Sequence, residues 1–373
     1  MHILMLPSWY PSRENPVYGS FFAEQAEALA DCGHTVTVAA LFPDKDGKQY
    51  TEISRRGSLT EYRIHYGTLP MHLTFLRAAS AIRGLLQKEL KDNRPDITHV
   101  QVFQRLPYAQ MLRKLYGIPY VVTEHVTWFG RGIVSRRDQG VASRGYRAAG
   151  AVLAVSPGLR ETNRPLCGDK EITVVPNLVS PRFFEGGLHT PPGERFGFIS
   201  IGTLEHKKGM DLLLRSFSEA AKQNERFTLT ICGDGPDAEK LKRQAEELGV
   251  ASRVTFTGRL SREEIAARLR ENQCFVLPSR SETFGVVFIE AMACGMPIIM
   301  TKTDAWQMLA LPETGLAVDI DDGAALTRAM LRVPAHYSEY DPERIRAYCR
   351  DRFSAPGVAR QLTEIYQKVL GRR

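Results

Sequence analysis

Cysteine is scarce and unpatterned: Cys32, Cys167, Cys232, Cys274, Cys294 and Cys349 are spread through 373 residues with no CxxC pair. That spacing suggests neither a disulfide framework nor a zinc site and fits a reducing, cytoplasmic setting. No apolar run approaches the ~20 residues that a membrane-crossing helix needs. The first residues, MHILMLPSWYPS, lack a basic leader and meet proline at position 7, so they read as a buried strand entering a loop rather than a signal peptide. Low-complexity segments and sequence repeats are absent. With 43% hydrophobic residues, disorder is excluded as the state of the whole chain, and the length suits roughly two to three domains.

An acidic excess is also missing. Lys and Arg number 49 against 42 Asp and Glu, a net +7. Residues 1–178 hold 22 of those cations and 16 of the acids, so nearly the whole excess lies in the first half.

What is present is a rhythm. Apolar, β-branched runs at 34–41 (HTVTVAAL), 97–103, 120–125 (YVVTEH) and 151–156 alternate with helical patterns, as strands buried on both faces of a parallel sheet do. The rhythm restarts at RFGFISIGTL (195–204) and continues through FTLTICGDG, RVTFTGRL, CFVLPS and MPIIMT, with LAVDI at 316–320 closing it. Two α/β parallel-sheet domains follow, 1–178 and 196–355, joined by a Gly- and Pro-rich linker at 179–195. A final helix, 356–373, has Val358, Leu362, Ile365, Tyr366 and Val369 at helical spacing with Ser354 as N-cap, and is expected to complete the first domain.

The most informative stretch runs Pro278-Ser-Arg-Ser-Glu282-Thr-Phe-Gly285 and on through Val286 and Glu290 to Pro297. A strand ends, a loop carries a carboxylate and a glycine, and a helix opens with free backbone N–H groups, which makes an anion site. On one helix Glu282 and Glu290 would stand about 12 Å apart, outside the ~5–9.5 Å window of paired hydrolase carboxylates. In a loop and a helix respectively, they suit two parts of one extended ligand. Glu290 lies among Phe288, Ile289, Ala291 and Met292, where a carboxylate needs a partner.

This segment resembles the E-x7-E signature of retaining glycosyltransferases of family four, which have the GT-B fold: two Rossmann-like parallel-sheet domains facing a central cleft. Other segments match in order: FISIGTLEHKKG (198–209) the donor-phosphate loop, ICGDGP (231–236) the next strand end, FTGRL (256–260) the nucleobase strand, and VPN (175–177) the end of the first domain. The resemblance covers the second domain and, less specifically, the first.

It implies that Glu290 binds the ribose hydroxyls, a task for a double acceptor, and that Glu282 faces the donor sugar. The backbone at Phe284, Gly285 and Val286 would approach sugar and diphosphate. Lys208 would be the diphosphate cation, able to stabilise a departing nucleoside diphosphate. Gly202 lies in the phosphate loop, Arg259 beside the base, Gly19 in the glycine loop that Ser20 caps, and His125 at the strand end that contacts the donor sugar. Glu124 alternates with His125 and would point elsewhere. The family commonly has an arginine after the glycine at 202, where this chain has Thr203, so His206, Lys207 or Arg259 would have to supply the second cation.

No nucleophile stands out, which favours front-face attack with retention. No metal or other cofactor is expected: Asp44/Asp46 and Asp319/Asp321 read as solvated acids. A dinucleotide dehydrogenase is a rival through Gly233-Asp-Gly-Pro-Asp-Ala238, but Val254–Arg259 lacks the ribose-binding acid of that fingerprint. A sugar-nucleotide epimerase, a phosphorylase and a catalytically silent binding module remain open.

Expected partners are a nucleotide-diphosphate sugar and a glycan or lipid-linked acceptor. Nucleic acid is not expected, since no aromatic-and-basic platform accompanies the charge. Arg131, Arg136, Arg137, Arg144 and Arg147 follow the His125 strand, and Arg77, Arg83, Lys88 and Lys91 share a stretch with Leu73, Phe75 and Leu76. Basic residues beside apolar ones suit an anionic membrane surface, here the inner face of the cell membrane; a merely solvated helix face is the alternative.

Overall fold

The structure is a computed structural model that describes residues 1–371 except Pro16, Lys45, Leu69 and Pro70; the side chains of Met71, His72 and Leu73 also lie outside the described residues. The chain divides into two compact units. The first comprises Met1–Val155, Leu159–Pro176 and Ala355–Arg373, the second Ser156–Gly158 and Asn177–Ser354.

The first unit runs β1 (His2–Pro7), α1 (Ser20–Asp31), β2 (Thr35–Asp44), β3 (Tyr50–Arg56), β4 (Leu59–Gly67), α2 (Met71–Lys88), β5 (Ile97–Gln101), α3 (Leu106–Tyr116), β6 (Tyr120–Glu124), α4 (Arg136–Ala148), β7 (Ala151–Ala154), α5 (Pro157–Cys167) and β8 (Ile172–Val174). Its sheet has the order β3-β4-β2-β1-β5-β6-β7-β8. The central strands β1, β5 and β6 are wholly buried, which is why they read as unbroken apolar runs.

The sheet is not purely parallel, as the sequence led us to expect. Strand β3 pairs antiparallel with β4, with Arg56 opposite Leu59 across a tight turn at Gly57, which takes φ +56°. Its edge position leaves Tyr50 and Ile53 exposed.

The second unit runs β9 (Phe196–Ile201), α6 (Met210–Gln223), β10 (Phe227–Cys232), α7 (Ala238–Glu247), β11 (Val254–Gly258), α8 (Arg262–Glu271), β12 (Cys274–Leu277), α9 (Val286–Ala293), β13 (Ile298–Thr301), α10 (Trp306–Leu309), β14 (Gly315–Val318), α11 (Gly323–Ala335) and α12 (Pro342–Phe353). Its strands order as β11-β10-β9-β12-β13-β14, all pairs parallel. The topology reverses between β9 and β12, so the loops leaving those two strands emerge side by side, where open α/β sheets take ligands.

Residues 179–195 do not form a free linker. Val179 N–H donates to the Phe353 carbonyl, Pro181–Phe183 forms a 3-10 turn, and His189 N–H reaches the Cys294 carbonyl, all within the second unit. The last helix, α13 (Ala355–Val369), returns to the first unit and packs on α1. Val358, Leu362 and Tyr366 are fully buried, while Ile365 and Val369 are half-buried. Ser354 bridges to Val179 in this junction. Arg372 and Arg373 lie outside the described residues.

Candidate functional site

The two loops at the β9/β12 switch build a charged cluster. After β9 the chain passes Gly202 into a 3-10 turn, His206–Lys208, which Gly209 closes at φ +68°. A Cβ at Gly209 would fall on the carbonyl oxygen of Pro278 in the other loop, so only glycine lets the loops approach this closely. Lys208 Nζ then reaches Glu282 Oε2 at 2.5 Å, both side chains being about one-seventh exposed.

Arg280 fixes the same junction. Its backbone N–H donates to the Lys207 carbonyl, and its guanidinium donates to the His206 carbonyl and to both oxygens of Asp211 in the first turn of α6. Sequence reasoning missed this residue; its partners are about 70 positions away along the chain, and only the neighbouring of β9 and β12 brings them together.

Helix α9 starts at Val286 from a left-handed Gly285, φ +78°, with no side chain capping it. A Cβ there would sit 2.6 Å from the Phe288 ring and 3.1 Å from Glu282 Cγ. Phe284 is buried, edge-on to Phe353 at 5.9 Å, and so anchors the loop while its backbone stays at the helix entry. Glu282 is therefore in the loop and Glu290 inside the helix, as the spacing suggested.

Glu290 is 1% exposed. Its Oε1 accepts from Arg262 of α8, whose guanidinium also lies 4.9 Å over the Phe183 ring. Its Oε2 has no partner among the described residues, so one buried acceptor stays available. Arg262 is the partner the apolar surroundings of Glu290 demanded; it was not identified from sequence.

Asp304, after β13, is a second residue that sequence reasoning missed. Its N–H donates to the Glu282 carbonyl at 3.3 Å and its Oδ2 is buried without a partner among the described residues. Burial, and then the Glu282 charge, push its carboxyl up to about 6.

The residues proposed as a substitute second cation do not join the cluster. Arg259, one residue past β11, is exposed with no charged partner among the described residues; Lys207 pairs with Glu205 at 2.8 Å; and His206 projects to solvent. The paired acids have local partners: Asp44 accepts from the N–H groups of Asp46 and Lys48, Asp319 meets Lys302, and Asp321 meets Arg280. At β10, Cβ atoms at Gly233 and Gly235 would collide with the Gly202 and Leu204 carbonyl oxygens, so these glycines serve loop-on-loop packing.

In the first unit, Gly19 takes φ +78° as N-cap of α1, and a Cβ would lie 2.8 Å from the Trp9 ring. Ser20, expected as the cap, is instead the first helical residue, because the left-handed glycine itself makes the turn. His125 follows β6 and is 7% exposed, edge-on to Phe22 at 4.9 Å. Its Nε2 bonds Gln101 Oε1 at 2.8 Å, and its Nδ1 has no partner among the described residues. Burial, helped by neighbouring His99, lowers its pKa to about 3, so the ring is neutral.

Gln101 also donates to Gln25; His99 bonds Thr123 at 2.7 Å and Tyr366 of α13 at 2.6 Å. Glu124 points away from His125's partners, as alternation required. Wholly buried, it accepts from Phe103 N–H at 2.6 Å, and burial raises its carboxyl to about 8.

Known proteins resemble this chain in sequence and in fold. Residues 188–347 match the family described as Glycosyl transferases group 1, and residues 18–178 match the Glycosyl transferase 4-like domain. The chain is 28% identical over 360 residues to a glycogen synthase of Mycobacterium tuberculosis (strain CDC 1551 / Oshkosh), covering 90% of this chain and 87% of that protein. Over 146 residues it is 34% identical to a GDP-mannose-dependent alpha-(1-6)-phosphatidylinositol monomannoside mannosyltransferase of Mycolicibacterium smegmatis, 37% of this chain and 38% of the other. A sucrose-phosphate synthase from Thermosynechococcus elongatus superimposes with a TM-score of 0.79 at 20% identity, over 100% of this chain and 99% of that one. The chain belongs to the group 1 glycosyltransferases and has their GT-B fold.

Proposed function

We propose that this group 1 glycosyltransferase is a retaining hexosyltransferase, moving a sugar from a nucleoside-diphosphate donor to a hydroxyl of a lipid-linked glycan, polysaccharide or other glycoconjugate. The observation that carries the reading is the switch-point cluster: Lys208 on Glu282, with the free Oε2 of Glu290 on the adjoining helix. Lys208 would take the diphosphate, Glu282 and the amides at the α9 start the sugar, and Glu290 the ribose. Naming of GDP-mannose and phosphatidylinositol in one relative supports a nucleotide sugar and a lipid-borne acceptor.

The reaction proceeds by front-face substitution. The bond from the anomeric carbon to the diphosphate oxygen breaks, the acceptor oxygen bonds the same face, and the leaving phosphate takes the acceptor proton. Lys208 and the α9 amides stabilise the charge on the departing diphosphate. Neutral His125 can exchange a hydrogen bond with a sugar hydroxyl and does not add charge. No metal is required on this reading, and the enzyme works in the cytoplasm, at the inner face of the membrane. Among the described residues no helix is long and apolar enough to cross one.

Incubation with UDP-, GDP- and ADP-sugars, with and without lipid-linked acceptor, tests the reading. Nucleoside diphosphate released only with acceptor, and a product whose anomer NMR shows to be retained, are expected. An inverted anomer, or activity lost to EDTA and restored by a divalent ion, would sink the mechanism.

A further inference from the structure

The first unit contains a cavity of about 840 Å³ that none of the residues discussed for the donor lines. Pockets for small ligands run roughly 300–1,000 Å³. Its walls are Phe75 of α2, Phe103 in the 3-10 turn after β5, Pro107 in the first turn of α3, Trp128 and Ile133 of the loop after His125, and Val141 of α4. The ring of Phe103 stands edge-on to Trp128, and that of Phe75 stacks on Tyr108 at 5.0 Å, so the walls are rigid aromatic surfaces. Ile133 is 59% exposed and Phe75 37%, which is costly apolar area at a rim unless something covers it.

Exposed arginines cluster on the loop and helix beside the cavity. Arg137 lines the cavity; Arg131, Arg136 and Arg144 are exposed on the same loop and helix, and no ion pair is found for any of the four among the described residues. The single acid of the lining, Asp138, is turned back: it accepts from the Ser135 hydroxyl, which in turn accepts from the Asp138 N–H at the start of α4. An apolar hole with Arg137 in its lining and further arginines on the adjoining loop and helix complements an anion carrying a hydrocarbon chain, since guanidinium forks match phosphate oxygens.

We propose that this cavity seats the hydrocarbon chain of a phosphate-bearing lipid acceptor, with Arg137 and its neighbours on the phosphate. This rests on the proposed function above and names the acceptor class. The wall is bolted to the strand end it would serve, because the Phe103 amide is held by Glu124, the residue before His125.

The test titrates dodecyl phosphate, below its micelle concentration, into the full-length protein and follows tryptophan fluorescence. A blue shift that Trp128→Phe abolishes is expected, with affinity at least about tenfold above that for inorganic phosphate or dodecanol alone. Affinity should rise roughly fourfold per added methylene until the cavity fills. Ile133→Asp, at a position 59% exposed, should weaken binding about tenfold, and Arg136→Glu with Arg137→Glu should remove the preference for the phosphate over the alcohol.

Chain-length independence, or equal binding by the Ile133→Asp protein, overturns the proposal. So does binding to anionic vesicles through these residues with none to the monomeric amphiphile. Thermal stabilisation of the same wild-type sample by nucleotide sugars reads the donor reading separately. Stabilisation without chain binding fells the cavity alone, whereas chain binding without it fells the transferase reading.

Discussion

Lys208 Nζ and Glu282 Oε2 lie 2.5 Å apart, an ion pair between the two loops that flank the switch of the second sheet. On the proposed reading the lysine would go to phosphate and the carboxylate to sugar hydroxyls, so donor entry would exchange this pair for contacts to ligand.

Removing the cation should cost transition-state stabilisation more than binding. Lys208→Ala is expected to lower kcat by about 10²–10³-fold, the range for a lost oxyanion partner. Glu282→Gln should instead raise the donor KM, since an amide keeps one acceptor but loses charge. Steady-state kinetics on both variants check the split; a Lys208→Ala enzyme changed only in KM would contradict it.

Arg262 and Glu290 form the deeper pair, and their removal is not symmetric. Arg262→Ala leaves a carboxylate that is 1% exposed without its cation and should destabilise the protein by about 3–5 kcal/mol. Glu290→Gln relieves that charge and should fold with less loss while weakening nucleotide binding. Denaturant midpoints and nucleotide thermal shifts separate the two; equal midpoints would show that Glu290 is not held by Arg262 in solution.

Glu124 gives a pH dependence of defined sign. Its folded carboxyl titrates at about 8, above the ordinary 4.5 of the unfolded chain. Between those values the folded state holds a proton the unfolded state has released, so stability falls as pH rises from about 4.5 towards 8. Glu124→Gln retains the acceptor for the Phe103 N–H and removes the titration. Its stability relative to wild type should improve from pH 5 to pH 8. Neutral His99 and His125, both lowered to about 3, act oppositely and lose stability below about 6.5, leaving the difference between the two proteins unaffected.

The sequence revealed what is local. Unbroken runs such as YVVTEH mark strands whose two faces are covered, and the loop-then-helix placing of Glu282 and Glu290 follows from the strand end at 277 and Gly285. The β3–β4 hairpin was not identified from the sequence, because its edge strand presents little apolar pattern. Partners across the chain were not legible. Arg262 lies 28 positions before Glu290, Arg280 some 70 from Asp211, and Tyr366 reaches His99 only because α13 returns to the first unit. Such contacts depend on topology, which composition and spacing do not carry.

Gly209 links fold to chemistry most directly. It holds φ +68° after the turn bearing Lys208, and a Cβ would strike the Pro278 carbonyl at the root of the loop bearing Glu282. An L-residue there costs roughly 1–2 kcal/mol for the left-handed conformation alone, and relief of the collision must part the two loops. Gly33, at φ +86°, has nothing within 4 Å of an added Cβ and supplies the control. Gly33→Ala should lower the melting temperature modestly and leave nucleotide-sugar stabilisation intact. Gly209→Ala should lower it further and reduce that stabilisation, because Lys208 and Glu282 no longer meet at one ligand. If the two alanine variants respond alike to nucleotide sugar, loop contact at Gly209 does not position the donor site.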